Sequence, residues 1–161
     1  MPFTALVLAA AVAAPPAEGL LTRHELSAAM AQKIAAESVA ECRRRGFRAS
    51  ISVVDAAGEL KAFLRDDGTA PHTVDLSRAK AYTALTLANR FATTLEFATA
   101  RGSTLGSPMT NIEGVVAIGG GVPVRWRDEV IGAAGASGAI GGDNDELCVK
   151  AGIAAVANQL R

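Results

Sequence analysis

The sequence predicts an α+β domain, an antiparallel five-stranded sheet with flanking helices. Two observations carry this. Strand-like runs come in groups, two and then three, and not singly between helices, so hairpins join them. Helical runs flank both groups, giving the order helix, two strands, helices, three strands, helix. A third observation concerns packing. Of 161 residues, 34 are alanine and 16 glycine, while aromatics make up only 4%. Side chains this small must bring elements close together to bury enough area. The length fits one domain with its own core.

Each element has a local cause. Thr22 and Glu25 have the spacing of a capping box and open a first helix. Leu26, Met30 and Ile34 recur every four residues along it, and Arg43, Arg44 and Arg45 precede the stop at Gly46. Residues 49–55 and 59–65 are short strand-like runs around a turn at Gly58. Asp66-Asp67-Gly68 breaks the second. His72 to Asn89 reads as a helix that turns Val74, Ala81, Leu85 and Ala88 inward, and residues 92–101 as a short one. Residues 102–111 are a loop rich in Gly, Ser and Pro. Residues 114–119, 122–126 and 128–134 read as three strands, residues 135–142 as a small-residue connection, and Asp143 to Leu160 as a closing helix. Gly58 and Gly142 are expected to hold backbone geometry that a Cβ would strain.

Charge and cysteine content narrow the function classes. With 16 basic and 16 acidic residues there is no field to attract nucleic acid. Cys42 and Cys148 form no CxxC and have no neighbouring histidines, so zinc is not expected. They read as small buried hydrophobes, and spacing leaves a disulfide open. Residues 1–21 form an apolar extension ahead of a domain at 22–161. Its run at 3–14 is too short to span a membrane. That run suits a signal-peptide core with an Ala11-Val12-Ala13 cleavage form, yet it lacks a basic lead. A cytoplasmic protein is expected, or an exported one if residues 1–13 are a signal peptide. Helices lined with small residues and a neutral surface point to a homo-oligomer.

Several motifs could carry chemistry. The run Gly119-Gly120-Gly121 lacks the Lys and Ser/Thr of a phosphate loop and reads as a strand turn. The glycines at 135–142 do precede a helix, but Asp143, Asp145 and Glu146 oppose an anion there and suit the helix dipole. The best polar cluster is Arg65, Asp66, Asp67, His72, Asp75, Ser77, Lys80 and Thr83. His72, Lys80 and Thr83 fall on one side of the second helix, which is expected to stay polar and free for a ligand. A plain solvated face describes the same residues. His72 and His24 are the two histidines, each at a predicted helix start, and either could give a metal or tetrapyrrole an axial nitrogen.

Four stretches, SVVDAAGELKAFLRDDG, SRAKAYTAL, IEGVVAIGGGVPV and VIGAAGASGAIGGDNDELCVKAGIAAV, together resemble the GlcG/HbpS family. The resemblance covers residues 22 to 160. It implies a profilin-like fold and bacterial homo-oligomers, from dimers to octamers. Members include extracellular haem-binding sensors and a haem-binding domain of a cobalamin adenosyltransferase, so haem or a related tetrapyrrole is the expected ligand. A Thr or His ligand in the family maps to Thr83 in KAYTA, or to Thr73 or His72 upstream. The chain departs from the family in carrying DDGTAPHT where many relatives have a DGA turn. The ligand set expected is therefore Arg65, Asp67, His72, Thr73, Lys80 and Thr83, with His72 as the candidate metal donor. The alternative is a cofactor-independent enzyme acting on a small organic substrate, with His72, Lys80 or Asp67 as acid–base groups. A structural oligomer without a ligand is the third reading.

Overall fold

The computed structural model describes residues 19–100 and 108–160. The apolar run at 3–14 and most of the loop expected at 102–111 lie outside the described residues. The elements are α1 (Ala28–Arg44), β1 (Ser50–Asp55), β2 (Leu60–Arg65), α2 (Thr73–Thr86), α3 (Thr94–Thr99), β3 (Gly121–Trp126), β4 (Glu129–Ser137) and α4 (Gly142–Ala154). Short 3-10 turns span Pro108–Asn111 and Ala157–Gln159. The sheet is antiparallel throughout, in the order β2-β1-β4-β3.

The described sheet therefore has four strands and not five. The missing one is the run expected at 114–119. Its backbone is held by α2 and not by a strand: the Val116 N–H donates to Thr83 Oγ1 at 2.9 Å, and Thr83 Oγ1 donates to the Gly114 carbonyl at 3.4 Å. A threonine side chain thus takes the place of a neighbouring strand. The first helix also starts later than Thr22. Ser27 caps it by accepting the Met30 N–H. Residues 23–26 run instead as a strap beside β4, where Leu26 is buried and donates its N–H to the Ile131 carbonyl. Leu26 belongs to the core, as its periodicity suggested, but through the strap. β4 runs to Ser137, three residues past its expected end, because Ser50, Ile51 and Ser52 of β1 pair with Ser137, Ala136 and Gly135.

The sheet divides two helical layers. Ile34, Ala35 and Val39 of α1, Cys148 and Val149 of α4, and Ile51, Val53 and Val124 of the sheet form the main core. Cys42 and Cys148, read from sequence as small hydrophobes, are buried there as a disulfide joining α1 to α4 across 106 residues. A loop of that length makes the bond worth roughly 4–5 kcal/mol on chain-entropy grounds.

α2 covers the other face, and it docks with a polar stripe. Thr73, Ser77, Lys80, Ala81 and Ala84 are buried at helical spacing. The expectation of a free polar face is not met. Val74 and Leu85, expected inside, are only half-buried, and Ala81 is fully buried. The hydroxyls are matched in pairs: Ser50 Oγ with Thr73 Oγ1 and Ser52 Oγ with Ser77 Oγ, both at 2.8 Å. Glycines in the strands let the helix backbone come this near. A Cβ at Gly135 would lie 2.3 Å from the Ser77 carbonyl oxygen, and one at Gly121 would lie 2.2 Å from that of Lys80. Elsewhere Gly58 holds φ +87 in the β1–β2 turn as expected. Before α4 it is Gly141, at φ +91, that takes the left-handed geometry, while Gly142 packs its Cα against Gly119.

Replacing Gly135 by Ala should push α2 off the sheet, because the nearest atoms its Cβ would meet, the Ser77 carbonyl oxygen and the Ala81 nitrogen, are helix backbone. We expect a loss of at least 3 kcal/mol, near the upper end for point mutants, measured by urea unfolding. A loss below about 1 kcal/mol would show that helix and sheet can part at little cost.

Candidate functional site

The layers leave a cleft of about 670 Å³ where three loops meet. One wall is the turn after α1, with Phe47 and Arg48. The second is the loop Gly68 to His72 with the start of α2. The third is residues 137–142, leading into α4. Local chemistry places each wall. Asp66 accepts two 3.0 Å bonds from Arg43 Nε and also the Asp67 N–H, which ties the loop to the end of α1. The Arg43 guanidinium holds the Asp66 carboxyl below the usual carboxylate range. Arg48 donates to the Asp67 carbonyl at 3.1 Å.

The floor is an ion pair. Lys80 Nζ lies 2.7 Å from Asp145 Oδ2, and both residues are only 2% exposed. Asp145 Oδ1 accepts the Ala139 N–H at 3.0 Å, so the same carboxylate staples the loop ahead of α4. Burial pushes the Asp145 carboxyl upward despite the neighbouring ammonium. Beside the pair, Glu146 is also buried; it accepts the Leu95 N–H and an ion pair from Lys150.

The residues expected as a ligand set are distributed as follows. His72, Thr73 and Lys80 line the cleft together. His72 stands at the start of α2 and makes no capping hydrogen bond with its side chain. Thr73 is buried, with its hydroxyl between Ser50 and the Ala70 carbonyl. Asp67 sits next door on the outer slope, beside Arg43 and Asp66. Arg65 is turned to the Thr69 carbonyl, which it holds through Nε at 3.1 Å and through Nη2. Thr83 lies outside the cleft, fully buried and engaged with Gly114 and Val116. His24 is far from all of these in its contacts: Nδ1 meets Glu129 at 2.7 Å and its ring packs on Trp126. Sequence reasoning missed Asp145 as the partner of Lys80. It also missed the walls from Phe47, Arg48 and residues 137–142. Asp145 was visible only as an acid in a first helical turn, where a solvated cap is the ordinary expectation. Among the described residues no group of three or more His, Cys, Asp or Glu is placed to hold a metal ion.

Comparison with known proteins bears on this geometry. The model of a family described as "Haem degrading protein HbpS-like" matches residues 26–154. The chain belongs to the HbpS-like family. It is similar to a double mutant of HbpS from Streptomyces reticuli, with a TM-score of 0.80, 31% identity, and coverage of 92% of this chain and 98% of that one. It also resembles a structure described as a PduOC:heme complex, with a TM-score of 0.69, 26% identity, and coverage of 81% of this chain and 94% of that one. An uncharacterized 15.0 kDa protein from Citrobacter freundii is 33% identical over 113 residues, covering 70% of this chain and 80% of that one. The described part of this HbpS-like chain has no helix long and apolar enough to cross a membrane.

Because each charge of the floor pair needs the other, Lys80→Met alone and Asp145→Asn alone should each cost about 3–5 kcal/mol. The double variant should cost clearly less than their sum. Strict additivity in a denaturant-based double-mutant cycle would show that the two charges are solvated independently.

Proposed function

We propose that this HbpS-like protein binds haem or a related tetrapyrrole in the cleft between α2 and the loop ahead of α4. One observation carries the reading. The cleft brings His72 beside apolar walls from Phe47, Leu76, Ile118 and Ile140, at a volume of about 670 Å³. The donor set fits the group. An imidazole is an ordinary axial ligand for haem iron, which supplies the redox or gas-binding chemistry when bound. Of the two histidines, His24 already meets Glu129, so His72 is the one that would hold the iron. Thr73 and Arg65 then shape the loop that carries His72, Asp67 steadies Arg48 through its carbonyl, and Thr83 fixes the segment at 114–116. Ile140, 82% exposed at the rim, is apolar surface that a second copy would cover, in line with a homo-oligomer. That one relative is described as a heme complex supports the same reading.

A second reading has its own observation. An Asp145 carboxyl raised by burial, next to an ammonium at the floor of a cleft, is an acid–base pair suited to a small organic substrate. Haem addition separates the two.

Hemin titrated into the protein should give a Soret band, and His72→Ala should weaken binding tenfold or more, about 1.4 kcal/mol. Binding unchanged in His72→Ala would move the axial donor elsewhere, and no Soret shift in either protein would favour the enzyme.

We also propose that the protein works in an oxidising compartment, the exported alternative and not the cytoplasmic one. The Cys42–Cys148 bond supports this, since such bonds persist mainly outside reducing cytosol. In protein alkylated within intact producing cells and then denatured, both cysteines should resist labelling until reduced. Two freely labelled thiols would return the protein to a reducing compartment.

A further inference from the structure

We infer that Lys80 is an anchor for a carboxylate of the bound ligand, so that the cleft selects tetrapyrroles with free acid side chains. This rests on the cleft being the tetrapyrrole site and adds which end of the ligand lies where. An ammonium has three N–H donors. Asp145 Oδ2 takes one, and the other two have no hydrogen-bond acceptor among the described residues, although Lys80 is only 2% exposed. A buried cation with spare donors at the edge of a cavity is incompletely satisfied, and a ligand oxygen would complete it. Space is kept for the group: a Cβ at Gly120 would come 2.8 Å from Nζ. Asp145 offsets the ammonium charge through Oδ2 while its Oδ1 accepts the Ala139 N–H, so a ligand carboxylate would be held by the two remaining N–H donors and not by a surplus of positive charge. Lys80 and Arg48 are the cleft's two Lys or Arg side chains, and Arg48 is exposed at the rim, bound to the Asp67 carbonyl.

The spacing along α2 fits. From His72 to Lys80 is eight residues, a rise of about 12 Å. That rise is on the scale of a tetrapyrrole, so one that His72 holds could also offer a carboxylate to Lys80.

The test compares hemin with hemin dimethyl ester, whose propionates carry no charge. Wild-type protein should bind hemin at least tenfold tighter than the ester in an absorbance titration. The preference should vanish in the double variant Lys80→Met with Asp145→Asn, which leaves no unpaired charge, and persist in Arg48→Met. If the double variant fails to fold, the Arg48→Met arm still decides, since Arg48 is the other cation of the cleft. Equal binding of the two porphyrins by wild type overturns the anchor while leaving the cleft as the site. Loss of the preference in Arg48→Met places the carboxylate at the rim and overturns the role of Lys80. Binding of neither porphyrin overturns the tetrapyrrole reading and this inference with it.

Discussion

The fold depends on how closely α2 lies against the sheet. Gly121 and Gly135 remove the side chains that would hold the helix away, and the helix backbone fills the space. At that distance α2 buries mainly hydroxyls, alanines and one lysine stem, with Val54 of β1 the larger apolar side chain opposite them. Hydroxyl pairs satisfy each other across it, which spares the cost of burying them alone. The lysine cannot be matched by a strand hydroxyl. It needs a carboxylate, and Asp145 in the first turn of α4 supplies it. One close approach thus fixes the position of a second helix and of the loop before it.

The cleft follows from the same arrangement. Asp145 pulls α4 toward α2 from below, and its second oxygen holds residue 139 of the loop. On the far side the Arg43–Asp66 contact draws the loop after β2 toward the end of α1. The α1–α4 layer behind the sheet has further supports of its own, its apolar core and the buried disulfide.

Much of the fold was legible because period and punctuation are local properties. α1 and α2, both hairpins and α4 appear near their expected places. The exceptions share a cause. Val115 to Ile118 has the composition of a strand, but Thr83 takes its backbone bonds, and nothing in the run itself announces that. Leu26 has helical spacing with Met30 and Ile34, yet its N–H goes to Ile131, a residue more than a hundred positions away. α2 was assigned its inward face by hydropathy. The real inward stripe, Thr73-Ser77-Lys80-Ala81-Ala84, has the right period but the wrong polarity. Residue size was the better signal, in a chain so rich in alanine and glycine. The site was legible in part for the same reason. His72 and Lys80 were named from one helix, whereas Asp145 joins them only through the tertiary fold. His24 and His72 look alike in sequence; Glu129 and Trp126 decide that only one faces the cleft.

The floor pair bears most directly on function. A buried ion pair often contributes no more than apolar residues of equal volume would, because both charges lose their water. α2 could have docked on the sheet with a methionine at position 80 and a neutral residue opposite it. Rigidity alone does not call for the charges either, since the Ala139 N–H needs only an oxygen acceptor, which an asparagine would also offer. What the apolar version lacks is a cation with unused donors at the base of the cleft. Such a group makes the cleft uneven in polarity: its lining holds the His72 imidazole and the Lys80 ammonium together with the apolar Phe47, Leu76, Ile118 and Ile140. On the proposed reading, a flat ligand with an acidic edge would be oriented by that polarity as well as held by it, which a symmetric apolar pocket of the same volume would not do.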